Sequence, residues 1–253
     1  MGRELALQLL QQGARVAAVD IDEEGLEETR ALTGENGDRL SLHVLNITDQ
    51  EAVNDLPGQV IAEHGAVDGL INNAGIIQPF VKISELEYDA IDRVMDVNFY
   101  GVVYLTKAFL PHLLERPQAH IANVSSMGGF LPVPGQTIYG ASKAAVKLFT
   151  EGLYTELKDT EVRVTIIFPG AIGTEIAVNS GVAGDMDLEA GGDDMGSDPL
   201  PADEAVQTML DGIEKDRFRV LVGSDARTMD FFYRLAPKRA ANLIFNQMKS
   251  LLS

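Results

Sequence analysis

Six short apolar runs punctuate the chain, at residues 15–19, 40–45, 67–72, 120–125, 162–168 and 219–222. They are nearly continuous in Val, Ile, Leu and Ala rather than alternating, the pattern of strands covered on both faces. Between them, apolar residues recur at helical spacing in segments that begin near Glu23, Asp49, Glu87, Tyr139 and Ala202. This alternation predicts an α/β fold built on a parallel, doubly wound sheet. Residues 1–253 read as a single domain, with a substrate lobe from about 175–201 and 225–253. Where such a fold usually opens on a strand, this chain opens directly on a helix, from Gly2 to near Gly13. Residues 181–201, rich in Gly and Asp, interrupt the pattern and read as a polar loop or lid.

Composition narrows the class. A length of 253 residues with 45% hydrophobic content suits a domain that buries a full sheet. No apolar stretch approaches the ~20 residues needed to span a bilayer, and no cationic leader precedes an apolar core. The absence of cysteine excludes disulfides, thiolate nucleophiles and cysteine metal sites, and leads us to expect a cytoplasmic protein. A formal charge of −18 argues against nucleic acid as a partner. Residues 227–253 run against that balance, with five Lys/Arg and one acid among apolar residues at helical spacing. They read as a terminal helix packed on the substrate lobe or a neighbouring subunit. A peripheral membrane contact, suited to a hydrophobic substrate, is the sharper alternative. The acid-rich runs at 20–28 and 185–198 read as solvated faces.

Chemistry concentrates in Tyr139-Gly140-Ala141-Ser142-Lys143. Positions i and i+4 share a helix face, so phenol and ammonium can meet one substrate. A phenol titrating near ~10 is a poor base at neutral pH, and a neighbouring cation favours phenolate. Ser126 stands thirteen residues upstream, at the end of an apolar run. Other readings fail. Gly140-Ala141-Ser142-Lys143-Ala144 lacks the final glycine of a nucleophile elbow, and all four histidines precede Ser142, against the hydrolase order. Those histidines have no metal-ligand spacing, so no metal site is expected.

Taken in order, Asn72-Asn73-Ala74-Gly75, Asp96-Val97-Asn98, Asn123-Val124-Ser125-Ser126, Tyr139-x-x-x-Lys143 and Pro169-Gly170-Ala171-Ile172-Gly173-Thr174 resemble the motifs of the short-chain dehydrogenase/reductase family. The resemblance runs clearly from Gly2 to about Thr174 and loosely to Val222. It implies a Rossmann-type fold and an oxidoreductase that moves a hydride between NAD(H) and a secondary alcohol, ketone or related carbonyl compound. It implies that Tyr139 exchanges the proton, Lys143 tunes it and binds the nicotinamide ribose, Ser126 holds the substrate oxygen, and Asn98 holds a relay water. It also implies cofactor contacts from Gly2, Asp20, Asn46, Ile47, Asn73, Ala74, Gly75, Pro169, Gly170, Ile172 and Thr174, besides Tyr139 and Lys143. Asp20, just past a strand with no cation after it, favours NAD over NADP. Asn46 departs from the Asp common at that place. Family members usually pair through the helices corresponding to 87–115 and 139–158, which implies a homodimer or homotetramer. Of the family's glycine-rich turn only the last glycine survives, as Gly2, and the strand before it is absent. We therefore expect the natural protein to carry a strand and turn ahead of Gly2. The competing reading is a truncated, non-catalytic paralogue, a folding-impaired remnant or dimer partner.

Overall fold

Helix α1 (Gly2–Gln11) turns Leu5, Ala6 and Leu10 inward and stops at Gly13, whose φ of 94° reverses the chain. The computed structural model describes residues 1–182 and 199–252, so the expected 181–201 loop lies largely outside the described residues. All six apolar runs are strands within two residues of the expected bounds: β1 (Val16–Asp20), β2 (Leu40–Val44), β3 (Gly69–Asn72), β4 (Ala119–Val124), β5 (Val162–Pro169) and β6 (Arg219–Val222). Every pairing is parallel.

Helices α2 (Glu23–Ala31) and α3 (Gln50–His64) follow β1 and β2. Asp49 caps α3 by accepting from the backbone N–H groups of Glu51 and Ala52 at 3.1 Å. After β3 come α4 (Tyr88–Met95), a π-helical turn (Asp96–Tyr100) and α5 (Gly101–Leu114). Helix α6 (Thr137–Glu156) links β4 to β5, and α7 (Ile176–Asn179) and α8 (Ala202–Glu214) precede β6. The chain closes with α9 (Ser224–Leu235) and α10 (Pro237–Met248).

Helices cover both faces, as doubly wound topology requires. On one, Val53, Leu56 and Val60 of α3 meet Leu105, Phe109 and Leu113 of α5 and Leu153 of α6. On the other, Leu5 of α1 joins Val206, Met209 and Leu210 of α8 over Val124, Ile167 and Val222. The sheet itself is in two parts, β1-β2 and β3-β4-β5-β6. The second edges of β1 and β3 meet no strand among the described residues. Ala17, Val19 and Leu70 nonetheless pack on the same core cluster. The open edges show in burial: Ile121, Ile166 and Ile167 are wholly enclosed, whereas β1 and the middle of β3 are half-buried.

A buried polar chain ties strands to helices. The Asn72 amide donates to the Asn123 side-chain oxygen at 2.7 Å, and the Asn123 amide donates to the Thr150 hydroxyl of α6 at 2.9 Å. Each such bond is worth about 1 kcal/mol net, and leaving a partner orphaned costs about 1–3 kcal/mol. The chain fixes α6 against the end of β4, where the expected chemistry lies.

Candidate active site

The carboxyl ends of β3, β4 and β5 open on one side, the place where open α/β sheets hold ligands. Beyond β4, the Ser125 hydroxyl donates to the Lys143 carbonyl at 2.7 Å and so seats α6 on the strand end. The Ser126 hydroxyl accepts from the Gly128 N–H at 3.0 Å, and it and the Tyr139 ring flank Gly128, where a Cβ would stand 3.5 Å from the one and 3.2 Å from the other. One turn along α6, Lys143 is buried, its ammonium donating to the Val124 carbonyl at 3.1 Å. Asn98 sits in the π-helical turn, a distortion that often marks functional positions. Its amide brackets Ile76, accepting from the Ile76 N–H at 2.8 Å and donating to the Ile76 carbonyl at 2.9 Å. It also donates to the Ser142 hydroxyl at 3.0 Å. Gly75 lies between Asn98 and Lys143: a Cβ there would stand 2.9 Å from the lysine Nζ and 3.3 Å from Asn98 Oδ1. Asn98, Ser126, Tyr139 and Lys143 therefore converge on one spot, with Gly75 as the backbone that must pass between them.

Burial governs the two ionisable groups. Tyr139 is partly exposed as a residue, yet its hydroxyl is enclosed, which pushes its pKa above the usual phenol value; the nearby Ser126 hydroxyl pulls the other way. Lys143 is pulled down to about 8 by burial. The sequence leads one to expect a phenol lowered by its lysine neighbour. In this structure the ammonium is turned to the Val124 carbonyl, and it is not among the groups that shift Tyr139.

The remaining expected residues fall along one side of the sheet. Gly2 opens α1, whose first N–H groups and dipole suit an anion. A Cβ on Gly2 would come within 3.1 Å of the Asn73 amide. The Asn73 side-chain oxygen is buried without a partner, and Ala74 beside it is exposed. Asp20 is exposed at the end of β1, one carboxylate oxygen accepting from the Asp22 N–H at 3.1 Å. Asp22 occupies the N-cap position of α2 without a side-chain cap bond. Asn46 is exposed and accepts from Thr48. Ile47 is buried against Gly101, which leaves mainly its backbone to offer a ligand. The loop from Pro169 to Thr174 is held by the Gly173 N–H donating to Leu200, and Ile172 packs on the α1–α8 side of the core. An orphaned amide oxygen, a glycine passage under Lys143 and a helix N-terminus on one groove fit a dinucleotide.

A profile of the short chain dehydrogenase family matches residues 1–183. The chain belongs to the short-chain dehydrogenase/reductase family. It is similar to the oxidoreductase SadH of Mycobacterium tuberculosis, 37% identical over 93% of this chain and 86% of that protein. Among solved structures it is similar to a short-chain dehydrogenase/reductase from Burkholderia phymatum in complex with NAD, with a TM-score of 0.81 and 26% identity over 92% of this chain and 90% of the other. It is also similar to a serine dehydrogenase complexed with NADP+, with a TM-score of 0.77 and 28% identity over 87% and 88% of the two chains. The protein is thus an NAD(P)-dependent oxidoreductase for a small-molecule substrate, and the non-catalytic alternative is not favoured. Among the described residues of this dehydrogenase, no cluster of three His, Asp or Glu could hold a metal, and no helix is long and apolar enough to cross a membrane.

Two residues of this short-chain dehydrogenase escape motif reading. Asp225, at the start of α9, accepts from the Ala171 N–H at 2.7 Å. A Cβ on Gly170 would lie 2.2 Å from that carboxylate, so any larger residue there would have to push the Asp225 side chain aside. Gln78, three residues past Gly75, is buried and bonds across the site. Neither carries a local signal. Their partners lie 54 residues away from Asp225 and 60 from Gln78 in sequence.

Proposed function

We propose that this dehydrogenase interconverts a secondary alcohol and a ketone, or a primary alcohol and an aldehyde, with Tyr139 as acid/base. The observation that carries this reading is that the Ser126 hydroxyl and the Tyr139 ring meet at Gly128, one helical turn from the buried Lys143. A substrate oxygen placed against both hydroxyls would give its proton to Tyr139 in the oxidative direction and recover it in the reductive one. Ser126 would stabilise charge developing on that oxygen. Lys143, mostly protonated at pH 7 given a pKa of about 8, would favour phenolate once aligned with it. When bound, the nicotinamide supplies hydride transfer and a positive ring. Gly2, Asn73, Ala74 and Gly75 would hold its phosphate and ribose side; Pro169, Gly170, Ile172 and Thr174 would hold its carboxamide end, and Asn46 and Ile47 its adenine. Asn98 would frame the Gly75 passage and a relay water.

NAD is the cofactor we favour. Asp20 presents an exposed carboxylate followed by Ile21, Asp22 and Glu23, with no cation to receive a 2′-phosphate. Met127, directly after Ser126, joins Leu131, Ala240 and Ile244 in an apolar cluster, which supports a substrate with an apolar body. Exposed Tyr100, Leu114, Leu148 and Tyr154 on the π-turn, α5 and α6 support a homodimer or homotetramer, which we place in the cytoplasm. The test is a screen of alcohols with both cofactors, on wild type and Tyr139→Phe. We expect NADH to quench or enhance fluorescence at lower concentration than NADPH, and Tyr139→Phe to lose about 10²–10⁴-fold in kcat. A Tyr139→Phe protein with full turnover would overturn the assignment.

A further inference from the structure

The helix that carries Tyr139 does not cap itself. The first N–H groups of any helix lack internal partners, and the N-cap residue of α6, Gln136, makes no side-chain cap bond to it. The acceptor comes instead from the cofactor-side loop. The Gln78 side-chain oxygen accepts from the N–H of Ile138 at 2.8 Å and from that of Tyr139 itself at 3.1 Å. Its amide donates to the Gly135 carbonyl at 2.9 Å, which fixes the orientation of the amide group. Gln136 answers by donating to the Gln78 carbonyl at 2.7 Å. The result is a reciprocal capping arrangement assembled from segments 58 residues apart. Both side chains are enclosed, at 1% and 3% exposure, so the bonds form out of water's reach, where an unmatched amide would be costly.

The other end of the same short segment is tied just as firmly. Gly75 runs beneath the Lys143 ammonium, Asn98 brackets Ile76, and the Ile77 N–H donates to the Ser180 hydroxyl at 2.9 Å. Four consecutive residues thus touch the ammonium of Lys143 at one end and the backbone of Tyr139 at the other. We infer that Gln78 is a positioning residue that sets where Tyr139 stands relative to the Asn73–Gly75 loop, and so relative to the nicotinamide and the substrate oxygen. This rests on the Tyr139 reading above. Packing alone does not call for glutamine, because methionine would fill the same volume. A displacement of about 1 Å in a reacting group costs on the order of 10²-fold in rate.

Two variants and two readouts test it. Gln78→Met keeps the volume and removes the acceptor; Gln78→Glu keeps the acceptor. In Gln78→Met the amides of Ile138 and Tyr139 should exchange with deuterium at least tenfold faster. Its kcat on the best alcohol from the screen should fall about 10²-fold, with the NADH dissociation constant within threefold of wild type. Gln78→Glu should stay within tenfold of wild-type kcat. Unchanged exchange in Gln78→Met would remove the cap, and full kcat despite faster exchange would remove the positioning role. A parallel loss of kcat and NADH affinity would make the residue merely structural and overturn the inference. If Gln78→Met does not fold, a loss beyond 10²-fold in Gln78→Glu overturns it equally. Failure of the Tyr139 reading is separate, since it shows as full turnover in Tyr139→Phe while the exchange measurement still reports on the cap.

Discussion

Burial acts in opposite directions on the two groups at the centre of the site: it keeps the Tyr139 phenol protonated and drives the Lys143 ammonium toward the neutral amine. The lysine carries the larger consequence for stability. Its folded pKa is about 8 against 10.5 unperturbed, so the unfolded chain holds the proton more tightly. Below pH 8 both states are protonated, and the fold bears the full cost of enclosing the charge, roughly 3 kcal/mol. As pH rises from 8 toward 10.5 the folded state releases its proton first, and this cost is relieved. Lys143→Met should therefore be more stable than wild type at pH 7, by at most that amount, with the difference shrinking by pH 10. Denaturant midpoints for both proteins between pH 7 and 10 measure it. Tyr139 does not interfere in that window, because its raised pKa affects stability only above about pH 10. The identity of this pair was legible from a four-residue spacing within ordered motifs. The direction of the phenol's shift was not, because it depends on where the ammonium points, and Val124 and Gly75 decide that from other elements.

At the level of elements, strand positions were readable because parallel strands buried on two faces leave unbroken apolar runs. Helix starts were readable where an acid such as Asp49 caps its own helix. Helix α6 begins at Thr137, two residues ahead of Tyr139, because its cap comes from Gln78 and leaves no mark nearby. The π-helical turn at Asp96–Tyr100 likewise breaks what reads as one long helix from 87 to 115. It costs no apolar residue its place, so periodicity does not reveal it. The division of the sheet has an energetic counterpart. β4 and β5 each have two paired neighbours and almost wholly buried side chains, whereas among the described residues β1 and β2 pair with no other strand. A pair of strands is marginal without further support, so β1, α2 and β2 should open as a local unit well before the rest unfolds. Native-state hydrogen exchange should show the β1 and β2 amides exchanging at least about tenfold faster than those of β4 and β5. Equal protection would mean that the shared core cluster holds both sheets as one.

Across the whole molecule, fold class and the placement of the site at the strand ends followed from alternation and motif order. What pattern alone could not supply was long-range stitching: Asp225 to the loop after β5, Gln78 to α6, and Arg219, which donates to Asp230 at 2.6 Å and stacks 4.5 Å from the centre of the Phe168 ring. Each joins residues whose pairing depends on three-dimensional closeness.

The edges of β1 and β3 that meet no strand among the described residues also bear on how copies of the protein behave together. Bare strand edges are templates for pairing with another chain, while a charge of −18 per chain makes assembled molecules repel one another. The reach of that repulsion shrinks from ~30 Å at 0.01 M salt to ~3 Å at 1 M. Ionic strength should then control colloidal behaviour: light scattering should stay flat in dilute buffer and climb with added salt. Purification and storage at low salt, rather than in the concentrated salt that steadies many proteins, would suit this one.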